Sequence, residues 1–155
     1  EMVTAIDGSM IDVIGLQGKG LARALQEDGP FDLVLIMAGT NDMACGSGQD
    51  CLLLNLYRLH SVCHGRGVPT VALAPPAAPG SGMEREVARH HFVELLRGMA
   101  RAMPGVAAFQ DPSDLLAPAE RRLWDVDGLH FSPAGSCVLG RELANLTMNL
   151  VAVHG

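Results

Sequence analysis

The chain has 155 residues, a length that suits one compact domain and is short for two. With 48% hydrophobic and 18% charged residues it can build a core, which excludes wholesale disorder, and with only 4% aromatics that core must be aliphatic. A formal charge of −6 argues against an electrostatic nucleic-acid binder, and no window offers the roughly 18 uncharged apolar residues of a membrane helix.

Taken in chain order, Ile11 to Ile14 is a short apolar run that ends at Gly15. A glycine-rich turn follows, and then a helical stretch from Leu21 to Gln26. Asp32 to Ala38 is nearly continuous in apolar residues, the pattern of a strand covered on both faces. Cys51 to His64 carries Leu52, Leu53, Leu56, Leu59, Val62 and Cys63 at helical spacing, with Asp50 as the expected N-cap and Gly65 as the expected C′ residue.

Val68 to Ala74 predicts the next strand, stopped by Pro75 and Pro76. The loop from Pro75 to Gly82 is expected to be the mobile segment. Glu84 to Met103 reads as a long amphipathic helix, and Val106 to Phe109 as a short strand. Pro133 to Val153 reads as the closing helix, with Pro133 in its first turn and Ser132 as its cap. Strands alternating with helices predict one α/β domain over residues 1–155, a parallel sheet covered on both faces. Ligands of such sheets sit at the carboxyl ends of the strands.

Three groups stand at or near those ends: Gly15-Leu-Gln-Gly18-Lys-Gly20, Gly39-Thr40-Asn41-Asp42 and Asp127-Gly-Leu-His130. Each has an ordinary reading taken alone. The glycines could serve a tight turn, Thr-Asn-Asp could be an Asx turn, and Asp127 and His130 could be a surface pair. Together they supply more. A D-x-x-H turn puts a carboxylate within reach of an imidazole, where it fixes the tautomer and stabilises the charged ring. A glycine N–H and an asparagine amide are neutral donors suited to a developing oxyanion. No nucleotide-binding glycine pattern fits the first group.

These residues carry a resemblance to the SGNH (GDSL-type) hydrolase superfamily. Gly18 matches its second block, Gly39-Thr-Asn41-Asp42 its third and Asp127-Gly-Leu-His130 its fifth, in the right order and over most of the chain. The resemblance implies a three-layer α/β/α fold with a flavodoxin-like parallel sheet. It implies an esterase that cleaves a small-molecule acyl ester, with neither cofactor nor metal. Gly18 and Asn41 would be oxyanion-hole donors, His130 the general base and Asp127 its orienting acid. An O-acyltransferase or a non-catalytic binding domain on the same fold are the alternatives.

The family's first block, a Gly-Asp-Ser at the end of the first strand, is absent. Ser9, in Asp7-Gly8-Ser9, imitates it, but only one residue separates it from Ile11, and a parallel crossover takes about a dozen. Ser47 and Ser81 read as loop residues. The expectation is therefore a chain truncated at its N-terminus, whose first strand and nucleophilic serine lie upstream of Glu1. Without that strand, the strand at Asp32 to Ala38 would have to pair directly with Ile11–Ile14 or leave a gap.

The remaining polar residues read plainly. Cys45, Cys51, Cys63 and Cys137 form no C-x-x-C pair and read as reduced thiols, with a Cys45–Cys51 or other bridge as the alternative in an oxidising compartment, and with no leader sequence visible they favour the cytoplasm. His60 and His64 share a helix face without a third ligand, and His90 and His91 read as surface residues. Trp124 reads as packing, with a pocket lining as the alternative. Glu84-Arg-Glu and Glu120-Arg-Arg read as solvated faces.

Overall fold

The computed structural model describes residues 20–44, 46 and 48–154. Within them the chain is α/β: three parallel strands, β1 (Val34–Met37), β2 (Thr70–Leu73) and β3 (Val106–Gln110), stand in the order β1-β2-β3. The expected strand and glycine turn over residues 11–18, with Ser9 and Gly18, lie outside the described residues, as do Cys45 and Ser47.

Helices cover both faces of the sheet. On one side, α1 (Leu21–Glu27), α3 (Gln49–His64) and α4 (Met83–Ala102) bury Leu25, Leu52, Leu56, Leu59, Phe92 and Leu96 against Ile36 and Ala72. On the other, α5 (Pro133–His154) and the turn at Arg121–Leu123 bury Leu139, Leu143 and Leu123 against Val71 and Leu73. Alternate residues of a strand point to opposite faces, so β2 feeds both layers, and all four of its residues are buried. The three-layer reading holds. A fifth helix, α2 (Thr40–Ala44), is one turn long and follows β1 directly.

β3 departs from simple alternation. Thr70 pairs with Val106 but Val71 with Ala108, so Ala107 is an extra residue. This bulge lets Val106 and Phe109 both reach the α3/α4 layer while Ala108 joins the α5 layer.

Several sequence expectations need correction. The strand at Asp32 to Ala38 is shorter, and it is not covered on both faces: Leu35 is 40% exposed. Leu33 and Met37 reach the α5 cluster, whose centre is β2, and Leu35 does not join them. Gly48, not Asp50, precedes α3, which places Asp50 in the first turn where a carboxylate favours the helix dipole. Gly65 keeps right-handed geometry (φ −62°), and the left-handed turn falls at Gly67 (φ 73°), after one further tight turn. The Pro75–Gly82 loop is tied down: Pro75 and Ala77 are buried, and both hold hydrogen bonds to distant elements.

Candidate functional site

The carboxyl ends of the strands gather the chemistry. β1 runs into Gly39, which is buried with φ 110°, a conformation that L side chains rarely adopt. A Cβ there would also stand 3.1 Å from the Leu52 side chain. Glycine at this position lets the chain turn at once from β1 into α2, so Thr40 and Asn41 begin a helix at the strand's end. Asn41 is exposed, and its side-chain amide has no partner among the described residues.

The Asp127–His130 turn is built by a small antiparallel closure before α5. Trp124 and Phe131 form a bridge with their rings 4.8 Å apart, and the Asp125 N–H donates to the His130 carbonyl at 2.8 Å. Gly128 turns the chain with φ 66° and sits so close to the Pro79 carbonyl that a Cβ would lie 3.2 Å from it. Trp124 is therefore a packing residue of the α5 layer. Ser132 closes the turn by accepting from the Gly135 N–H at 3.1 Å, which caps α5.

Within this turn Asp127 uses both oxygens. Oδ1 accepts the backbone N–H groups of Leu129 (2.9 Å) and His130 (3.0 Å), and Oδ2 meets His130 Nδ1 at 2.6 Å. The hydrogen bond from His130 and those from the backbone hold the Asp127 carboxyl down at about 2. The same bond and the carboxylate's charge raise the His130 pKa. With Nδ1 occupied, Nε2 is the nitrogen left open, and no described residue bonds it. The imidazole is 73% exposed.

Leu129, between Asp127 and His130, and Thr40, beside Asn41, line one cavity of about 120 Å³. The third and fifth blocks thus meet across the carboxyl edge of the sheet. Asn41 and His130 themselves stand outside the cavity lining, and Gly18 falls outside the described residues.

Sequence reasoning missed the residues that brace this edge. Arg89 is buried on α4, with Nη1 2.9 Å from Asp111 Oδ2 and 3.2 Å from the Pro75 carbonyl, and Nε 2.8 Å from Glu86 Oε1. Glu86, expected on a solvated face, is half-buried in this network. A signal was available: Arg89 stands in register with Phe92, Val93, Leu96 and Ala100, a charge at an apolar-stripe position, which calls for a buried partner.

The other candidate clusters resolve differently. His60 and His64 converge on the Thr70 hydroxyl, at 2.7 and 2.9 Å, at the opposite end of β2. His90 meets Glu86 at 3.2 Å, and His91 Nδ1 meets Gln49 Oε1. Cys51, Cys63 and Cys137 are free thiols, and burial pushes the Cys63 thiol up to about 11. Among the described residues no group of three His, Cys, Asp or Glu could hold a metal ion, and no helix is long and apolar enough to cross a membrane.

Compared with known families, residues 3–136 match the model of the GDSL-like lipase/acylhydrolase family. No curated protein matches the chain.

Proposed function

Because the chain belongs to the GDSL-like lipase/acylhydrolase family, we propose that it is the ester-hydrolase domain of a serine esterase acting on a small-molecule acyl ester. The observation that carries this reading is the Asp127–His130 pair, bonded through Nδ1 at 2.6 Å with Nε2 open at the carboxyl edge of the sheet. His130 Nε2 takes the proton of a serine hydroxyl as that oxygen attacks the ester carbonyl, and then returns it to the leaving alcohol. Asp127 holds the tautomer and stabilises the imidazolium. The side-chain amide of Asn41 and the backbone N–H of Gly18 donate to the oxyanion. The sequence holds no Gly-Asp-Ser, and the serine comes from a segment upstream of Glu1. An O-acyltransferase would use the same groups with a different acceptor.

A second reading, a non-catalytic binding domain, draws support from the same missing motif. A fluorophosphonate probe separates the two. Extended to include its upstream Gly-Asp-Ser segment, the protein should be labelled at that serine and should cleave p-nitrophenyl acetate, and His130→Ala should abolish both. The 155-residue chain alone should do neither above its own His130→Ala control. Labelling of Ser9 that depends on His130 would place the nucleophile inside the chain. An extended protein that is never labelled would favour the binding domain.

A further inference from the structure

The outer face of α3 carries a pattern that its own chain does not use. The helix buries Leu52, Leu56, Leu59 and Cys63, and its opposite face holds Leu54, 48% exposed, and Tyr57, 49% exposed. A single exposed apolar residue is ordinary on a protein surface, whereas adjoining ones mark a contact. Residues three apart on a helix are neighbours, so Leu54 and Tyr57 make one apolar spot.

Two charges flank that spot. Asp50 and Arg58 stand four residues before and four after Leu54, both exposed. Neither side chain has a hydrogen-bond or ion-pair partner among the described residues. Arg23, Arg89 and Arg97 each meet a carboxylate three or four residues away on their own helix. At those distances Arg58 has only Leu54, Asn55, Ser61 and Val62. Asp50 lies about 12 Å from it along the helix axis, with Leu54 between them.

We infer that this face is a two-fold interface with a second copy of the chain. Asp50, Leu54 and Arg58 form one ridge of the i±4 type, and Tyr57 stands on the next. Such ridges interdigitate when two helices cross at about −50°. A two-fold axis at Leu54 runs the two ridges antiparallel. Asp50 of each copy then lies beside Arg58 of the other, with Leu54 and Tyr57 of both copies between the two ion pairs. The ridge reads negative, apolar, positive in one direction and the reverse in the other, so it is complementary to itself. A parallel arrangement would set like charges together. This self-complementarity is what selects a second copy as the occupant.

The contact is small. One ridge against another covers less than the roughly 800 Å² per partner of a standard interface, so the pair half-forms on the order of 100 µM. The inference goes beyond the hydrolase reading and does not depend on it.

The test is the oligomeric state of the 155-residue chain, read by sedimentation velocity from about 10 µM to about 1 mM at low and high salt. The average mass should climb toward twice that of the monomer with concentration, and less steeply at high salt, where the ion pairs are screened. The two-fold axis repeats every contact, so Asp50→Arg or Arg58→Asp turns two attractions into two repulsions. Each variant alone should associate about tenfold more weakly or worse. Mixed together, they should pair with each other, because one chain then carries two cations and the other two anions. Both reversals on one chain should restore self-association. A fold that was merely damaged would recover in neither case. Leu54→Glu, at an exposed position, should remove association without touching either charge. A chain that stays monomeric to about 1 mM overturns the interface, as does association that the reversals leave unchanged or that mixing does not restore. Dilution-dependent NMR shifts should fall at Leu54 and Tyr57; shifts centred on Leu35 instead would place the contact on β1 and overturn it as well.

Discussion

Asp127 holds His130 twice, by its backbone N–H through Oδ1 and by its ring Nδ1 through Oδ2. The first bond fixes the turn and the second fixes the ring, so one carboxylate sets both the position and the tautomer of the imidazole. A surface histidine would otherwise rotate among rotamers, and the proposed general-base role requires that it does not.

This double hold predicts a pH signature. The His130 pKa is raised above its ordinary 6.5 by the Asp127 hydrogen bond and charge. Asp127→Asn removes the charge, so the His130 pKa should fall toward or below 6.5. An NMR titration of the ring protons reads this directly in the 155-residue chain. In a catalytically complete protein, general-base work needs the neutral ring, so activity should rise with pH through the His130 pKa. The acidic limb should then move to lower pH in Asp127→Asn while the maximal rate drops. An unchanged ring titration in the variant would mean that the bond contributes nothing in solution.

The turn from β1 into α2 predicts a difference between two glycines. Gly39 and Gly46 both have positive φ, 110° and 75°. At Gly46 a Cβ meets nothing within 4 Å, whereas at Gly39 it meets Leu52 at 3.1 Å. Gly46→Ala should cost about 1 kcal/mol, the backbone penalty alone. Gly39→Ala should cost more, about 2–3 kcal/mol, and should displace α2 and Asn41 with it. Chemical denaturation of both variants gives the comparison, and equal losses would remove Leu52 from the account.

The Arg89–Asp111 pair is the buried charge on which the carboxyl edge depends. Both side chains are 7% exposed. Arg89→Met leaves the Asp111 carboxylate buried without its cation and should destabilise by about 3–5 kcal/mol, whereas Asp111→Leu leaves Arg89 still paired with Glu86 at 2.8 Å and should cost less. The double variant should recover much of that loss, because two apolar side chains need no compensation. A double-mutant cycle by urea denaturation measures the coupling, and strictly additive single losses would mean that the pair does not interact.

Much of this fold was legible because its signals are local. The run Val68 to Ala74 is apolar but for Thr70, and a strand covered on both faces accounts for that pattern. The stripe Leu52, Leu56, Leu59 and Cys63 permits only a helix with one buried face. Asp127 and His130 were legible for the same reason, since three residues of sequence fix their contact. What was not legible depends on distant parts of the chain. The exposure of Leu35 is decided by how far the α5 layer extends. The place of Arg89 was visible as a charge in an apolar stripe, but its partners lie 14 and 22 residues away at the ends of two other strands. The end of α3 was misread because Gly65 and Gly67 compete for the same left-handed role, and the turn chose the later one.

At the far end of β2, the last prediction concerns acid stability. His60 is 1% exposed and bonds the Thr70 hydroxyl through Nδ1 at 2.7 Å. His64 Nε2 meets the same hydroxyl at 2.9 Å. One hydroxyl has one proton, so it donates to one ring and accepts from the other, which pins the C-terminal turn of α3 to the start of β2. Burial, and secondly the neighbouring His64, lower the His60 pKa from 6.5 to about 4. The unfolded chain therefore binds a proton at His60 between about pH 6.5 and 4 that the folded chain refuses. Stability contributed by the neutral ring is complete above 6.5 and is lost progressively as pH falls through that window. Fully developed, the loss is about 3 kcal/mol. The Asp127 carboxyl, at about 2, loses its contribution only at lower pH, so the two are separable. Urea denaturation from pH 7 to pH 4 should show a steeper decline for the unaltered chain than for His60→Leu, whose apolar side chain has no proton to refuse. Parallel pH profiles for the two proteins would show that His60 does not set the acid limit.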